Sequence, residues 1–221
     1  MSIIQAVVFD MDGVLIDSEV IWRRVREVYA AEVGRRWTQD DQESMMGCST
    51  PDWSERMRER LGLNDFSAAE LALEIKRRVL AAFELDLQVR PGAAQALATL
   101  GRSWPLALAS GSPRELVECA MARTGFGPCF RSILCGDDVA QGKPHPEIYL
   151  RSLERLGAAP SSSVGIEDSG NGLRALRAAG MWAIAAPCPE FPLPPEIRAL
   201  AHAEVASLNA LTPGLVAGLV R

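Results

Sequence analysis

The chain has 221 residues, 48% of them apolar, a mean hydropathy of +0.05 and a formal net charge of −5, the profile of one large globular domain or of a core domain carrying a smaller insert. Its basic residues are spread out rather than gathered into a stripe, which argues against nucleic acid as a partner. No apolar run reaches the roughly 18 residues that span a bilayer, which argues against a membrane. Five cysteines without a C-x-x-C pair point to free, buried thiols in a reducing cytoplasm, and MSIIQAVVFD lacks the basic start and small-residue cleavage site of a signal peptide.

The first strand is expected over residues 4–9 and runs straight into acid. The stretch VVFDMDGVLIDSE sets Asp10, Asp12 and Asp17 close together with no basic residue among them. Like charges repel, so such a cluster calls for a cation or a reaction. From Ser18 to about Asp86 no strand candidate occurs. Four helical patterns take its place, over 18–33, 38–46, 51–61 and 67–85, with Asp17 expected to cap the first. Trp53, Met57 and Leu61 repeat at i, i+4, i+8, as do Leu71, Ile75 and Val79, so both helices carry an apolar stripe for packing. Ser67 with Glu70 reads as a capping box.

The chain returns through LQVRPG, where Pro91 and Gly92 mark a turn. Helices over 92–102, 113–123, 146–156 and 170–179 then alternate with strands over 104–109, 132–135, 163–166 and 181–185, and a last strand candidate lies at 203–206. These strands are near-continuously hydrophobic, as parallel strands covered on both faces should be. The alternation predicts an α/β fold, a doubly wound, Rossmann-like parallel sheet. Its core spans residues 1–17 and 88–221, with a helical insert over 18–87. The proline-rich PCPEFPLPP at 187–195 is expected to be a surface loop.

Ligands bind beyond the carboxyl ends of the strands in an open parallel sheet, so the residues that follow each strand are the candidates. They are Asp10-Met11-Asp12-Gly13, then Ser110-Gly111-Ser112, then Lys143 in GDDVAQGKPHP, and Glu167-Asp168-Ser169. Singly, each reads as an ordinary cap, turn or exposed loop. Together they offer carboxylates for a divalent cation, a hydroxyl with backbone N–H donors, and an ammonium, which is the equipment for a phosphoryl group. Lys143 stands out because the chain uses 21 arginines and two lysines. There is no G-x-x-x-x-G-K-[ST] loop, no G-x-G-x-x-G after the first strand and no G-x-S-x-G elbow. The two histidines, His145 between prolines and His202 in a polar segment, are weak candidates for a triad.

The order DMDGV, ASGS, GKPHP and EDSGNG resembles the haloacid dehalogenase superfamily over essentially the whole chain. The insert resembles the α-helical cap of β-phosphoglucomutase-like sugar phosphatases. DMDGVLIDSEVIW is similar to enzymes that hydrolyse 2-deoxyglucose 6-phosphate and related hexose or hexitol phosphates.

The resemblance implies an Mg²⁺-dependent phosphatase acting on a small-molecule phosphate ester as a monomeric, cytoplasmic chain. Asp10 would be the nucleophile that forms an aspartyl phosphate, and Asp12 the general acid and base. Asp10, Asp168 and the backbone carbonyl of Asp12 would hold the metal, with Glu167 either a further ligand or a group that orients the others. Gly13 would allow the tight turn between them. Ser110, Gly111 and Lys143 would bind the phosphoryl oxygens. Substrate choice would fall to Glu19, Trp22, Gly47 and Thr50 of the cap, where packing alone is an equal expectation for Trp22. Trp22 and Thr50 occupy the positions where mutases carry histidine and arginine, which favours hydrolysis over mutase chemistry. A phosphosugar mutase and a catalytically silent phosphate-binding protein are the alternatives.

Overall fold

The structure is a computed structural model and describes residues 3–219. Strands β1 (Ala6–Phe9), β2 (Leu106–Ala109), β3 (Ser132–Leu134), β4 (Ser163–Glu167), β5 (Trp182–Ala185) and β6 (Ala203–Glu204) form one parallel sheet in the order β3-β2-β1-β4-β5-β6. Every expected strand is present, most of them trimmed by a residue or two. The last shrinks to two residues because it pairs only with β5 at the sheet edge. The order reverses at β1, where chains leave toward β2 on one side and β4 on the other, and that switch point opens a crevice at the strand ends.

Helices α5 (Ala93–Leu100), α6 (Arg114–Thr124), α7 (Glu147–Leu156) and α8 (Gly170–Ala178) cover the sheet. Although the strands read as unbroken apolar runs, their two faces differ. Val7, Phe9, Leu106, Leu108, Val164, Ile166 and Ile184 pack with α5 and α6. Ala6, Val8, Ala107, Ala109, Ala183 and Ala185 pack with α7 and α8. The second face is made of small side chains, so those helices lie close to the sheet. At Gly165 an added Cβ would come within 2.1 Å of Leu176. This close approach lets Tyr149, on α7, reach the end of β4.

The segment between β1 and α5 is helical throughout: α1 (Ser18–Glu32), α2 (Gln39–Glu43), α3 (Thr50–Leu61) and α4 (Ala68–Leu85). Helices α1 and α3 both pack on α4, which also packs on α6. The apolar stripes of α3 and α4 are buried as their spacing requires, and Ser67 and Glu70 make the expected reciprocal capping box. The two connections run side by side. Asp17 N–H donates to the Gln88 carbonyl and Arg90 N–H to the Leu15 carbonyl, each at 2.9 Å. Two chain crossings tied in this way place the helical segment directly over the carboxyl ends of the strands.

Several expectations need correction. Asp17 occupies the N-cap position of α1, but its side chain makes no capping bond and instead accepts from the Cys188 thiol. The helix expected over 38–46 is only Gln39–Glu43, because turns through Gly47 (φ +69°) end it. The 187–195 stretch is the expected irregular, largely exposed segment, although Cys188 and Phe191 tuck in against Met46. All five cysteines are free, but Cys129 is exposed and Cys119 half-buried. Among the described residues no helix is long and apolar enough to cross a membrane.

Candidate active site

Asp10 and Asp12 follow β1 at the centre of the sheet. Gly13 turns the chain sharply there, with φ +70° and no room for a side chain, because a Cβ would lie 1.9 Å from Asp168 Oδ2. The absence of a Cβ thus lets the first and fourth strand ends close on each other. Asp10, Glu167 and Asp168 are all buried, with carboxylate oxygens within 4.8 Å of one another.

Lys143 lies among them, 2% exposed. Its Nζ donates to Asp10 Oδ1 and Glu167 Oε1, both at 2.6 Å, and to the Ala109 carbonyl at 3.1 Å. Glu167 Oε1 also accepts from the Tyr149 hydroxyl, while Oε2 accepts from the Asp168 and Ser169 amides and the Ser169 hydroxyl. Both oxygens of Glu167 are therefore held by protein donors. Burial alone would push this carboxyl up, but Lys143 and these donors hold it below its ordinary range. Burial would likewise lower Lys143, yet Asp10 and Glu167 keep it well above its ordinary value.

One ammonium does not balance three buried carboxylates. Burial drives Asp10 and Asp168 well above the usual carboxylate range, and Glu167 adds to both shifts. Asp168 Oδ2 is buried without a hydrogen-bond partner, and an orphaned carboxylate oxygen of that kind carries a large desolvation cost. A divalent cation bound by oxygen ligands would remove both problems, so the residues fit one. Asp10 and Asp168 carry the fit, whereas the oxygens of Glu167 are already occupied.

Asp12 is oriented by three hydroxyls. Oδ1 accepts from Ser18 at 2.7 Å, and Oδ2 accepts from Ser110 at 3.0 Å and Ser112 at 2.8 Å. Ser112 belongs to the Ser110-Gly111-Ser112 candidates but was given no role of its own, and Ser18 was not picked out from the sequence, where it reads only as the start of the first helix. Ser110 and Lys143 lie just behind the cavity wall; Asp10, Asp12, Gly111, Ser112 and Asp168 line it.

The opposite wall comes from the helical segment. Glu19, Trp22, Arg26, Met45, Gly47, Cys48 and Trp53 close the cavity down to about 40 Å³, room for a few water molecules. Gly47 has no Cβ because one would meet Ser169 Oγ at 2.7 Å, and Asn171 Nδ2 donates to the Met46 carbonyl at 2.8 Å. The 46–48 turn is thus latched onto the start of α8. Thr50 is not brought to the cavity; it is the first residue of α3, whose N-cap is Ser49. Neither histidine is near: His145 is exposed and His202 packs on Trp182.

Arg26 was not picked out from the sequence, because one arginine among 21 on an amphipathic helix carries no signal. It is 3% exposed and brings to the cavity wall a positive charge that Trp22 and Thr50 do not supply. Its guanidinium lies 4.8 Å from the Trp22 ring and 5.1 Å from that of Trp53. Nη1 donates to Gln42 Oε1 at 3.0 Å, and Gln42 Nε2 donates to Glu19 Oε2 at 2.9 Å. Burial, reinforced by Asp12, raises the Glu19 carboxyl to about 7, and burial lowers Arg26 to about 10.

This arrangement matches known proteins along nearly its whole length. A hexitol phosphatase B of Escherichia coli is 31% identical, the match covering 95% of each chain. A phosphorylated carbohydrates phosphatase of Thermotoga maritima is 37% identical over 80% of this chain and 82% of its own. The crystal structure of a β-phosphoglucomutase from Clostridium difficile superposes with a TM-score of 0.85 at 25% identity, covering 99% of this chain and 97% of that one. The model of the haloacid dehalogenase-like hydrolases matches residues 4–180, which take in β1 through α8 and all four acidic, hydroxyl and lysine motifs. The chain belongs to the haloacid dehalogenase-like hydrolase family.

Proposed function

We propose that the enzyme hydrolyses small phosphate monoesters, sugar phosphates foremost, through an aspartyl phosphate on Asp10. The observation that carries this reading is the pairing of Asp10, held by Lys143 at 2.6 Å, with Asp12, held by three serines, on one wall of a narrow cavity. The names of the phosphatase relatives support it.

Asp10 attacks phosphorus, a P–O bond to the carboxylate forms, and the bond to the substrate alcohol breaks. Asp12 gives its proton to the departing oxygen. A water molecule then attacks the phosphorus of the aspartyl phosphate while Asp12 takes up its proton, and inorganic phosphate leaves with Asp10 restored. Gly111 and Ser112 border the phosphoryl oxygens; Ser110 and Lys143 position Asp12 and Asp10 from behind and lend their donors when the phosphoryl group arrives. Mg²⁺, held by Asp10, Asp168 and the Asp12 carbonyl, would supply positive charge against which two anions can approach. Glu167 would position Lys143 and Asp168 rather than ligate. Residues 18–87 would act as a cap that moves to admit substrate, because a cavity of about 40 Å³ is too small to hold a sugar phosphate.

A phosphosugar mutase is the second reading, favoured by the β-phosphoglucomutase likeness. Hydrolysis predicts Mg²⁺-dependent release of inorganic phosphate from p-nitrophenyl phosphate and from sugar 6-phosphates. Asp10→Asn should yield no phosphoenzyme, whereas Asp12→Asn should lose less with p-nitrophenyl phosphate, whose leaving group needs little protonation. Rapid exchange of glucose 1- and 6-phosphates with negligible phosphate release would refute hydrolysis in favour of the mutase.

A further inference from the structure

Arg26 is a buried cation that the hydrolytic machinery does not use. Its Nη1 is committed to Gln42, but Nε is buried without a partner. The residue lines the cavity together with Glu19, and one glutamine anchors both, since Gln42 accepts from Arg26 and donates to Glu19. Gln42 is completely buried and also accepts from Trp37 Nε1 at 3.4 Å, so neither side chain is free to drift. Trp22 and Trp53, packed edge to face at 5.6 Å, supply an apolar wall beside them.

The wall facing Asp12 therefore offers a guanidinium whose N–H groups are not all taken up, one carboxyl and a carbon-binding surface. A buried guanidinium N–H left without an acceptor is costly, and the absent acceptor is most simply an oxygen of the substrate. That oxygen cannot comfortably belong to a second phosphate or a carboxylate. Glu19 shares the cavity wall and Asp12 lies across from it, so beyond Asp10 and Asp168, which would hold the metal, a second anion would meet two carboxyl groups and one guanidinium. A hydroxyl suits both groups, accepting from the guanidinium of Arg26 and donating to the carboxyl of Glu19.

We infer that Arg26 and Glu19, tied together by Gln42, form the subsite for the leaving alcohol and select the phosphate monoester of an uncharged polyol with a hydroxyl at its cap end. This rests on the phosphatase reading above. Trp22 and Trp53 cover the C–H face of the polyol, and Arg26 determines specificity without touching the reacting atoms.

The test is a substrate series on the Mg²⁺-supplied protein: a hexitol 6-phosphate, n-hexyl phosphate of equal length but no hydroxyls, glucose 1,6-bisphosphate, and p-nitrophenyl phosphate. Hydrogen bonds to a charged group correspond to a preference of about 10- to 100-fold, so kcat/KM for the hexitol phosphate should exceed that for hexyl phosphate by that factor. The bisphosphate should be the poorer sugar substrate. Arg26→Gln should shrink the hexitol-to-hexyl ratio to within about 3-fold, mainly by raising KM for the hexitol ester. The wild-type series stands on its own should that variant not fold. Equal rates for hexitol and hexyl esters would overturn the inference, as would a wild-type preference for the bisphosphate. An equal loss on both esters in R26Q would reduce Arg26 to a packing role and overturn it too. If p-nitrophenyl phosphate is cleaved but discrimination is absent, only the subsite fails; if none of the four is cleaved, the phosphatase reading fails with it.

Discussion

Lys143→Met tests the electrostatic account of the site directly. The substitution keeps much of the side-chain volume and removes three hydrogen bonds, two of them 2.6 Å contacts to Asp10 and Glu167. The side chains involved are 1%, 7% and 0% exposed, so water cannot replace the ammonium. Removing one member of such a buried set costs about 3–5 kcal/mol. In a chain of this size that corresponds to a fall in Tm of about 6–20 °C.

The loss should depend on pH, and the sign follows from Glu167. Lys143 is the principal group holding its carboxyl below the ordinary range against burial; without the lysine, burial raises it above its unfolded value. A carboxyl raised on folding contributes stability that is complete below its unfolded value, about 4.3, and is lost as pH rises through the folded one. The gap between wild type and variant should therefore be smallest near pH 4.5 and widen as pH rises toward 8. Urea unfolding in EDTA at several pH values measures it. A gap below about 1 kcal/mol at pH 8, or one that does not grow with pH, would refute the reasoning.

Gly13→Ala places a methyl group 1.9 Å from Asp168 Oδ2 at φ +70°; beyond the roughly 1–2 kcal/mol of left-handed strain, it should weaken Mg²⁺ binding at least about 10-fold by calorimetry, and unchanged affinity would remove Asp168 from the metal site. Glu19→Gln should gain stability relative to wild type as pH rises from 4.5 to about 7, because the folded carboxyl is raised to about 7 from 4.5 and the wild type loses about 3 kcal/mol over that window; parallel stability profiles in EDTA would show that Glu19 is not desolvated. Ser67→Ala removes the capping box of α4 and should cost about 1 kcal/mol with kcat unchanged; a fall in kcat without a fall in stability would contradict a purely structural role for that residue.

Much of this molecule was legible in the residues themselves. A parallel strand covered on both faces must be apolar along its whole length, so β1 through β5 announced themselves, and the rule that ligands meet the carboxyl ends of strands led directly to Asp10, Asp12, Ser110, Lys143, Glu167 and Asp168. Local chemistry was enough for the Ser67–Glu70 box and for the apolar stripes of α3 and α4, because those depend on neighbours three or four residues away. It was not enough at Asp17, whose side chain turns to Cys188, 171 residues distant, nor at Phe191, buried by a partner from the helical segment.

Beyond Glu19, Trp22 and Gly47, which the resemblance pointed to, the opposite wall of the cavity was decided by tertiary structure. Arg26, Gln42 and Trp53 belong to three different helices and look like ordinary amphipathic residues until packing sets them around one point. Ser18 and Tyr149 likewise become partners of Asp12 and Glu167 only when α1 and α7 close on the sheet, and Thr50, adjacent in sequence to the cavity turn, stays outside. The physical reason is range. Strand patterning, caps and glycine turns are set by interactions within a few residues, whereas a hydrogen bond or an unpaired charge gains its energetic weight from burial, and burial is a property of the folded chain as a whole.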